Sequence, residues 1–201
     1  MKKVVLTLAI IITTLVLVFV GFFIYTVYLY ESGVTTQAFL DERDPKKRMM
    51  LLEDLLNEDE YSRWAWLDDA AELAYQIEDY DKAKKYSLES LSISGNYISD
   101  WNYGNSIHNA NMILGRLSLR DGDVNKAKEY LLESAKSKGS PQLDTFGPSL
   151  ALAKELLDIG EKTVVLSYLK SITLFWQMDK GCVKRWIKQI ENDEIKKSCP
   201  C

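Results

Sequence analysis

Residues 111–137 read NMILGRLSLRDGDVNKAKEYLLESAKS. The stretch divides into an amphipathic helix, a tight turn at Gly122-Asp123 and a second amphipathic helix. Two other segments lie over it. WLDDAAELAYQIEDYDKAKKYSLESLSIS, from Trp66, turns at Glu78-Asp79-Tyr80, and SLALAKELLDIGEKTVVLSYLKSITLF, from Ser149, turns at Gly160-Glu161. Ala83, Ala127 and Val165 hold the same place in the three second helices, separated by 44 and 38 residues. A helix–turn–helix unit repeated in this way marks stacked hairpins, because no single unit buries its apolar face alone. The extra residues fall in the connections SGNYISDWNYGNS and KGSPQLDTFGP.

Upstream of the repeats, Asp44-Pro45 has the form of a helix start, with an aspartate N-cap and proline at the first helical position. The helix it opens, PKKRMMLLEDLLNED, places Met49, Leu52, Leu55 and Leu56 on one face. Residues 31–44, ESGVTTQAFLDERD, are expected to form a polar tether. Before them, Lys2-Lys3 precedes an uncharged run, VVLTLAIIITTLVLVFVGFFIYTVYLY, over residues 4–30. A run of more than about 18 apolar residues is the pattern of a transmembrane helix, and Tyr25, Tyr28 and Tyr30 crowd its far end as an interfacial aromatic belt would. The run is too long for the apolar core of a cleaved signal peptide, and bulky Phe22 and Phe23 stand near its exit. The first cysteine is Cys182, which leaves no lipobox.

The expected organisation is therefore a signal anchor over 1–30, a tether over 31–44 and an all-α helical-hairpin solenoid over 45–201, with units at 61–94, 104–137 and 147–176 and further terminal helices. Lys2 and Lys3 lie at the membrane edge, while Lys46, Lys47 and Arg48 begin well beyond it. The positive-inside rule then puts the N-terminus in the cytoplasm and the helical domain outside the inner (plasma) membrane. Without Lys2 and Lys3, 23 basic residues face 29 acidic ones, a net charge of −6. Such a domain carries no footprint for nucleic acid and no polybasic patch for anionic lipid. The bilayer is expected to be met through residues 4–30 alone.

Leu114-Gly115, Gly122-Asp123 and Ala127 resemble the tetratricopeptide pattern of small residue, turn and small residue. Ala70-Ala71, Tyr80 and Ala83 repeat it in the first unit, and Leu152-Ala153, Gly160 and Val165 in the third. Ser90 stands where the pattern prefers alanine, so the repeats are divergent. The strings GNSIHNANMILGRLSLRDGD, KGSPQLDTFGPSLALAKELLDIGE and LSYLKSITLFW, within residues 101–187, are similar to a group of small bacterial tetratricopeptide-like proteins without an assigned activity. The resemblance implies a hairpin solenoid that binds proteins. It implies no catalytic residue and no cofactor.

Stacked hairpins form a concave face lined by the first helix of each unit, and repeat proteins bind there. Asp68 and Glu72 lie four apart in the first unit; Asn109, Met112 and Arg116 follow one stripe in the second; Leu150, Lys154 and Leu157 do so in the third. The expected groove has acidic, mixed and basic sections and suits an extended or helical peptide. GSPQLDTFGP, residues 139–148, is a rigid connection between two hairpins, with a place on the rim of the groove as its alternative role. Leu169, Ile172, Phe175 and Trp176 form an apolar stripe suited to core or cap packing.

His108 is the one histidine. No H-x-x-x-H, H-E-x-x-H or G-x-S-x-G pattern occurs, so a metal or nucleophile has no second ligand or partner in sequence. Its structural reading is a helix-start residue capped by Asn105 or Ser106. The competing reading is an enzyme, with His108 in a closed pocket beside a carboxylate brought in by folding. Cys182, Cys199 and Cys201 are confined to the C-terminal end. In an oxidising compartment Cys182 can pair with either terminal cysteine, whereas a thiol or metal function is the alternative; no metal is expected.

Overall fold

A computed structural model describes residues 2–194, with side chains described except at 2–12, 28–32, 34 and 35. All regular elements among the described residues are helical, and they divide into two compact units, 1–58 and 59–201.

The first unit contains α1 (Lys2–Asp41) and α2 (Pro45–Leu55). Residues 31–41, expected as a tether, continue α1 as helix. No proline interrupts them, and the lone Gly33 costs a helix only about 1 kcal/mol relative to alanine. The side chains described along the apolar run, residues 13–27, are all exposed. Among the described residues no helix is long and apolar enough to cross a membrane. The span expected over 4–30 lies partly outside the described side chains. α2 begins as its sequence requires. The Asp44 carboxylate accepts from the Lys46 and Lys47 amides at 2.9 and 3.0 Å, with Pro45 at the first helical position. Arg48 sits 4.7 Å from the centre of the Phe39 ring and ties α2 to α1, and Met49, Leu52, Leu55 and Leu56 are buried.

The second unit holds α3 (Glu60–Gln76), α4 (Tyr80–Ser94), α5 (Tyr103–Arg120), α6 (Val124–Ser134), α7 (Pro141–Thr145), α8 (Ala151–Asp158), α9 (Lys162–Ile172) and α10 (Cys182–Glu191). The hairpins are α3–α4, α5–α6 and α8–α9. In the stack, α5 packs on both α3 and α8, α4 on α5, α6 on α8 and α9, and α10 on α9. A one-turn helix, α7, interrupts the second connection.

The three hairpin turns share one geometry. Glu78, Gly122 and Gly160 all take positive φ, at 63°, 84° and 91°. The next amide reaches back five residues in each: Asp79 to the Ala74 carbonyl, Asp123 to Ser118 and Glu161 to Leu156, at 2.9, 2.9 and 3.0 Å. This C-terminal cap satisfies carbonyls that the helix end would leave bare. Asp79 and Asp123 then cap α4 and α6 by accepting from the Lys82 and Lys126 amides. Glu161 makes no such side-chain bond.

Small residues set the helix spacing. Ala71, Gly115 and Ala153 are buried seven residues before the turn position, and Ala83, Ala127 and Val165 five residues after it. A Cβ on Gly115 would stand 2.2 Å from Leu152 Cδ2 and 3.1 Å from Tyr130 Cβ. Only glycine lets α5 approach α6 and α8 this closely. The core runs from Met112 through Leu131, Leu152, Leu156 and Tyr168 to Trp186 and Ile190, and includes the Leu169, Ile172, Phe175 and Trp176 stripe. Trp64 is fully buried, stacked on Tyr97 at 4.2 Å between ring centres.

Candidate functional site

Four-residue spacing on α3 places Asp68 and Glu72 on one side, and Asp69 joins them at its edge. Opposite, α5 presents Asn109, Met112, Ile113 and Arg116 from a stripe of the same period. Ser149 and Ala151, at the start of α8, close the end. Together they line a depression of about 330 Å³ among the first helices of three successive hairpins.

Five expected groove residues thus share one cavity: Asp68, Glu72, Asn109, Met112 and Arg116. Leu150 and Lys154 do not line it, and this corrects the expected basic section. α8 begins only at Ala151, the one residue of that helix on the cavity wall. Leu150 packs against the core instead, Lys154 is exposed elsewhere, and Leu157 is buried in the core. Arg116 Nε donates to Glu155 Oε1 at 2.9 Å, and its guanidinium lies 4.2 Å from the centre of the Tyr75 ring. The one cation on the cavity wall is thereby already matched. Asp68, Asp69 and Glu72 are the acidic members of its lining.

Asp68 is its most unusual member. The side chain is buried, with 6 % of the residue exposed. Asn109 Nδ2 donates to Asp68 Oδ2 at 2.8 Å, joining α5 to α3, while Asp68 Oδ1 has no hydrogen-bond partner. Burial pushes the carboxyl above the usual range, and the Asn109 bond opposes that rise only in part. A second depression of about 250 Å³ shares Asp68, Asp69, Asn109 and Ser149 and extends to Gln142, Leu143, Phe146 and Gly147. The 139–148 connection therefore forms part of the rim as well as joining two hairpins. It is fixed there by Ser140, which caps α7 through the Leu143 amide at 3.0 Å, and by Gly147, whose absent Cβ would meet the Trp176 ring at 2.3 Å. Asn105, which also lines this depression, is occupied internally, donating to Asn102 Oδ1 at 2.7 Å and to Gln142.

Sequence spacing missed Asp69, Ile113, Ser149 and Ala151. Asp69 and Ile113 each neighbour a named residue, but a 3–4 period selects one position per turn. Ser149 precedes its helix, where no periodicity applies.

His108 is not at a helix start. α5 begins at Tyr103, and its N-cap, Asn102, makes no side-chain capping bond, so neither Asn105 nor Ser106 caps it. The imidazole is fully buried one turn further in. Nδ1 faces the Ser134 carbonyl at 3.2 Å, and Nε2 turns towards the Ser149 main chain without a full hydrogen bond. Burial depresses its pKa to about 4, against weaker support for the charged form from these two main-chain groups. No carboxylate contributes, so the acid–base pair required by the enzyme reading is not formed at this ring. Tyr168 donates to the same Ser149 carbonyl at 3.0 Å, and burial raises its hydroxyl pKa.

Cys182 opens α10, is buried and is disulfide-bonded. Cys199 and Cys201 lie outside the described residues. Among the described residues no group of three or more His, Cys, Asp or Glu is placed to hold a metal ion. No family model matches this chain, and neither a curated protein nor a solved structure matches it.

Proposed function

We propose that this protein is a single-pass membrane-anchored, tetratricopeptide-like interaction module, which holds a protein partner in the groove between α3, α5 and α8 and serves as an adaptor in an envelope complex. The observation that carries the reading is the convergence of polar side chains from successive first helices on one cavity, around a buried carboxylate with an unused acceptor. A site that merely needed a solvated face would have no reason to bury Asp68.

The anchor part rests on the apolar helix. From Leu15 to Val27 its large apolar side chains are 39 to 69 % exposed, a surface that lipid accommodates and water does not. The Thr26 hydroxyl donates to the Phe23 carbonyl at 2.8 Å, keeping its polarity within the helix as a bilayer requires. The extracytoplasmic orientation draws on Lys2-Lys3 and on the disulfide at Cys182, since structural disulfides persist in oxidising compartments. Confinement to the membrane raises the effective concentration of the groove towards partners at that surface.

The test is photo-crosslinking in intact cells from a reactive residue at position 72 in the groove or at Lys84, exposed on α4. Adducts from position 72 alone are expected; equal adducts, or adducts from 84 only, would overturn the groove. Membrane-impermeant thiol labelling of spheroplasts, before and after reduction, tests the address separately, with labelling expected only after reduction.

A further inference from the structure

The second depression is lined by carboxamides that the fold uses only in part. Asn102 is buried, with 7 % of the residue exposed, and stands on its wall. Its Oδ1 accepts from Asn105 Nδ2 at 2.7 Å, which fixes the amide plane and leaves Nδ2 as the open end. That Nδ2 has no acceptor among the described residues and is not sealed from the depression. Gln142 uses only Oε1, which accepts from Asn105, and Asn109 uses only Nδ2, which donates to Asp68 Oδ2 at 2.8 Å. The wall therefore offers two amide donors, on Asn102 and Gln142, and the Asn109 carbonyl as an acceptor, all uncharged. Phe146 stands beside them, 82 % exposed. Its backbone is nonetheless held. The Phe146 amide donates to the Gln142 carbonyl at 2.8 Å, Gly147 lies against the Trp176 ring, and Asp144 accepts from the Gln177 amide at 2.8 Å. An aromatic face on such a fixed segment is bound at little cost in ordering.

We propose that this depression binds a neutral saccharide, with the hydroxyls of one pyranose ring at Asn102, Gln142 and Asn109 and its C–H face against Phe146. A hydroxyl both donates and accepts, as these carboxamides do together. The groups left open are uncharged, which matches them to hydroxyls rather than to an ion. A volume of about 250 Å³ lies below the range of about 300–1,000 Å³ usual for drug-sized ligands, and suits one ring. The open groups come from the connection before α5, from α5 and from α7, around a single hollow. An extended peptide calls instead for a row of partners along its length. The site goes beyond the groove reading above, since a saccharide here needs no protein partner between α3, α5 and α8.

The test is saturation-transfer difference NMR on the full-length protein in lauryldimethylamine oxide, a detergent without a sugar head group. The probes are the methyl glycosides of glucose, galactose, mannose and N-acetylglucosamine. Transfer to the ring C–H protons of at least one of them is expected. Phe146→Ala is expected to weaken its binding by about tenfold and Gln142→Ala by about fivefold, the scales of aromatic packing and of one neutral hydrogen bond. Both positions are exposed, so neither change removes buried packing. Lys84→Ala, exposed on α4, is expected to leave binding unchanged. Transfer to none of the glycosides, or transfer that survives both Phe146→Ala and Gln142→Ala, would overturn the proposal. Transfer to N-acetyl-trialanine amide and to no glycoside would give the depression to a peptide and also overturn it. Crosslinking from position 72 reads the groove separately, so either reading can fail while the other stands.

Discussion

His108 and Asp68 are both buried ionisable side chains, and each keeps one polar atom without a partner. Their surroundings separate them. His108 sits between main-chain groups of Ser134 and Ser149, away from both depressions, and burial answers its problem by keeping the ring neutral. Asp68 lines both depressions, and burial there raises its carboxyl against the Asn109 bond and weaker main-chain support from its own turn of α3. A neutral imidazole is tolerable in an interior, whereas a carboxylate held from water is costly unless it is paired. One group completes the fold, and in the proposed reading the other completes a complex.

The pH dependence of stability gives the largest expected difference. The folded pKa of His108, about 4, lies below the ordinary 6.5. The unfolded chain therefore binds the proton first, and stability present above pH 6.5 is lost as pH falls towards 4. The loss is about 3 kcal/mol across that window, at 1.36 kcal/mol per unit. Urea unfolding followed by fluorescence reports the second unit alone, because all five tryptophans lie between 64 and 186. His108→Gln is expected to remove about that much of the loss between pH 7 and pH 4 while leaving crosslinking from position 72 unchanged. An unaltered acid sensitivity would show that the buried imidazole is not the group that resists protonation.

Asn109→Ala is next in size. It removes the one side-chain donor to the Asp68 carboxyl, at a cost of about 2 kcal/mol near neutral pH. The same change removes a contribution that lowers the Asp68 pKa, so the Asp68 titration followed by carboxyl carbon NMR is expected to move further up. A variant with unchanged stability and titration would mean that the α3–α5 bond does not hold the carboxylate.

The repeat was legible because it uses residues with narrow physical roles. Gly122 and Gly160 provide positive φ, Asp79 and Asp123 cap helices, and Ala71, Gly115, Ala83 and Ala127 permit close approach. Glu78 shows the limit, holding the same left-handed position with a residue that gives no local signal of it. The groove was legible on α3 and α5, whose helical phase is long and regular, and misread on α8. There Ser149 and Ala151, on either side of the helix start, line the cavity in place of the expected Leu150 and Lys154. The burial of His108 and the Asn109 bond to Asp68 depend on contacts 26 and 41 residues apart in the chain, which no local pattern encodes.

Asp68→Asn has the smallest expected effect on stability and the clearest meaning. A carboxyl with a raised pKa contributes stability that is fully present below the ordinary carboxylate range and lost as pH rises through its folded value. This slope is opposite to that of His108. The asparagine keeps an acceptor for Asn109 and cannot ionise, so the unliganded protein is expected to gain about 1 kcal/mol at pH 7, as removing a poorly matched buried charge does. It keeps a polar group in place of the spare oxygen, and this holds the gain to a modest size. In the same variant, adduct formation from position 72 is expected to fall. A gain in stability with a loss of binding marks a residue retained for its ligand, because a purely structural aspartate would lose stability on the same change. Thermal unfolding at pH 7 and at lower pH reads the sign directly: the difference between variant and wild type should shrink as pH falls and the wild-type carboxyl takes up its proton.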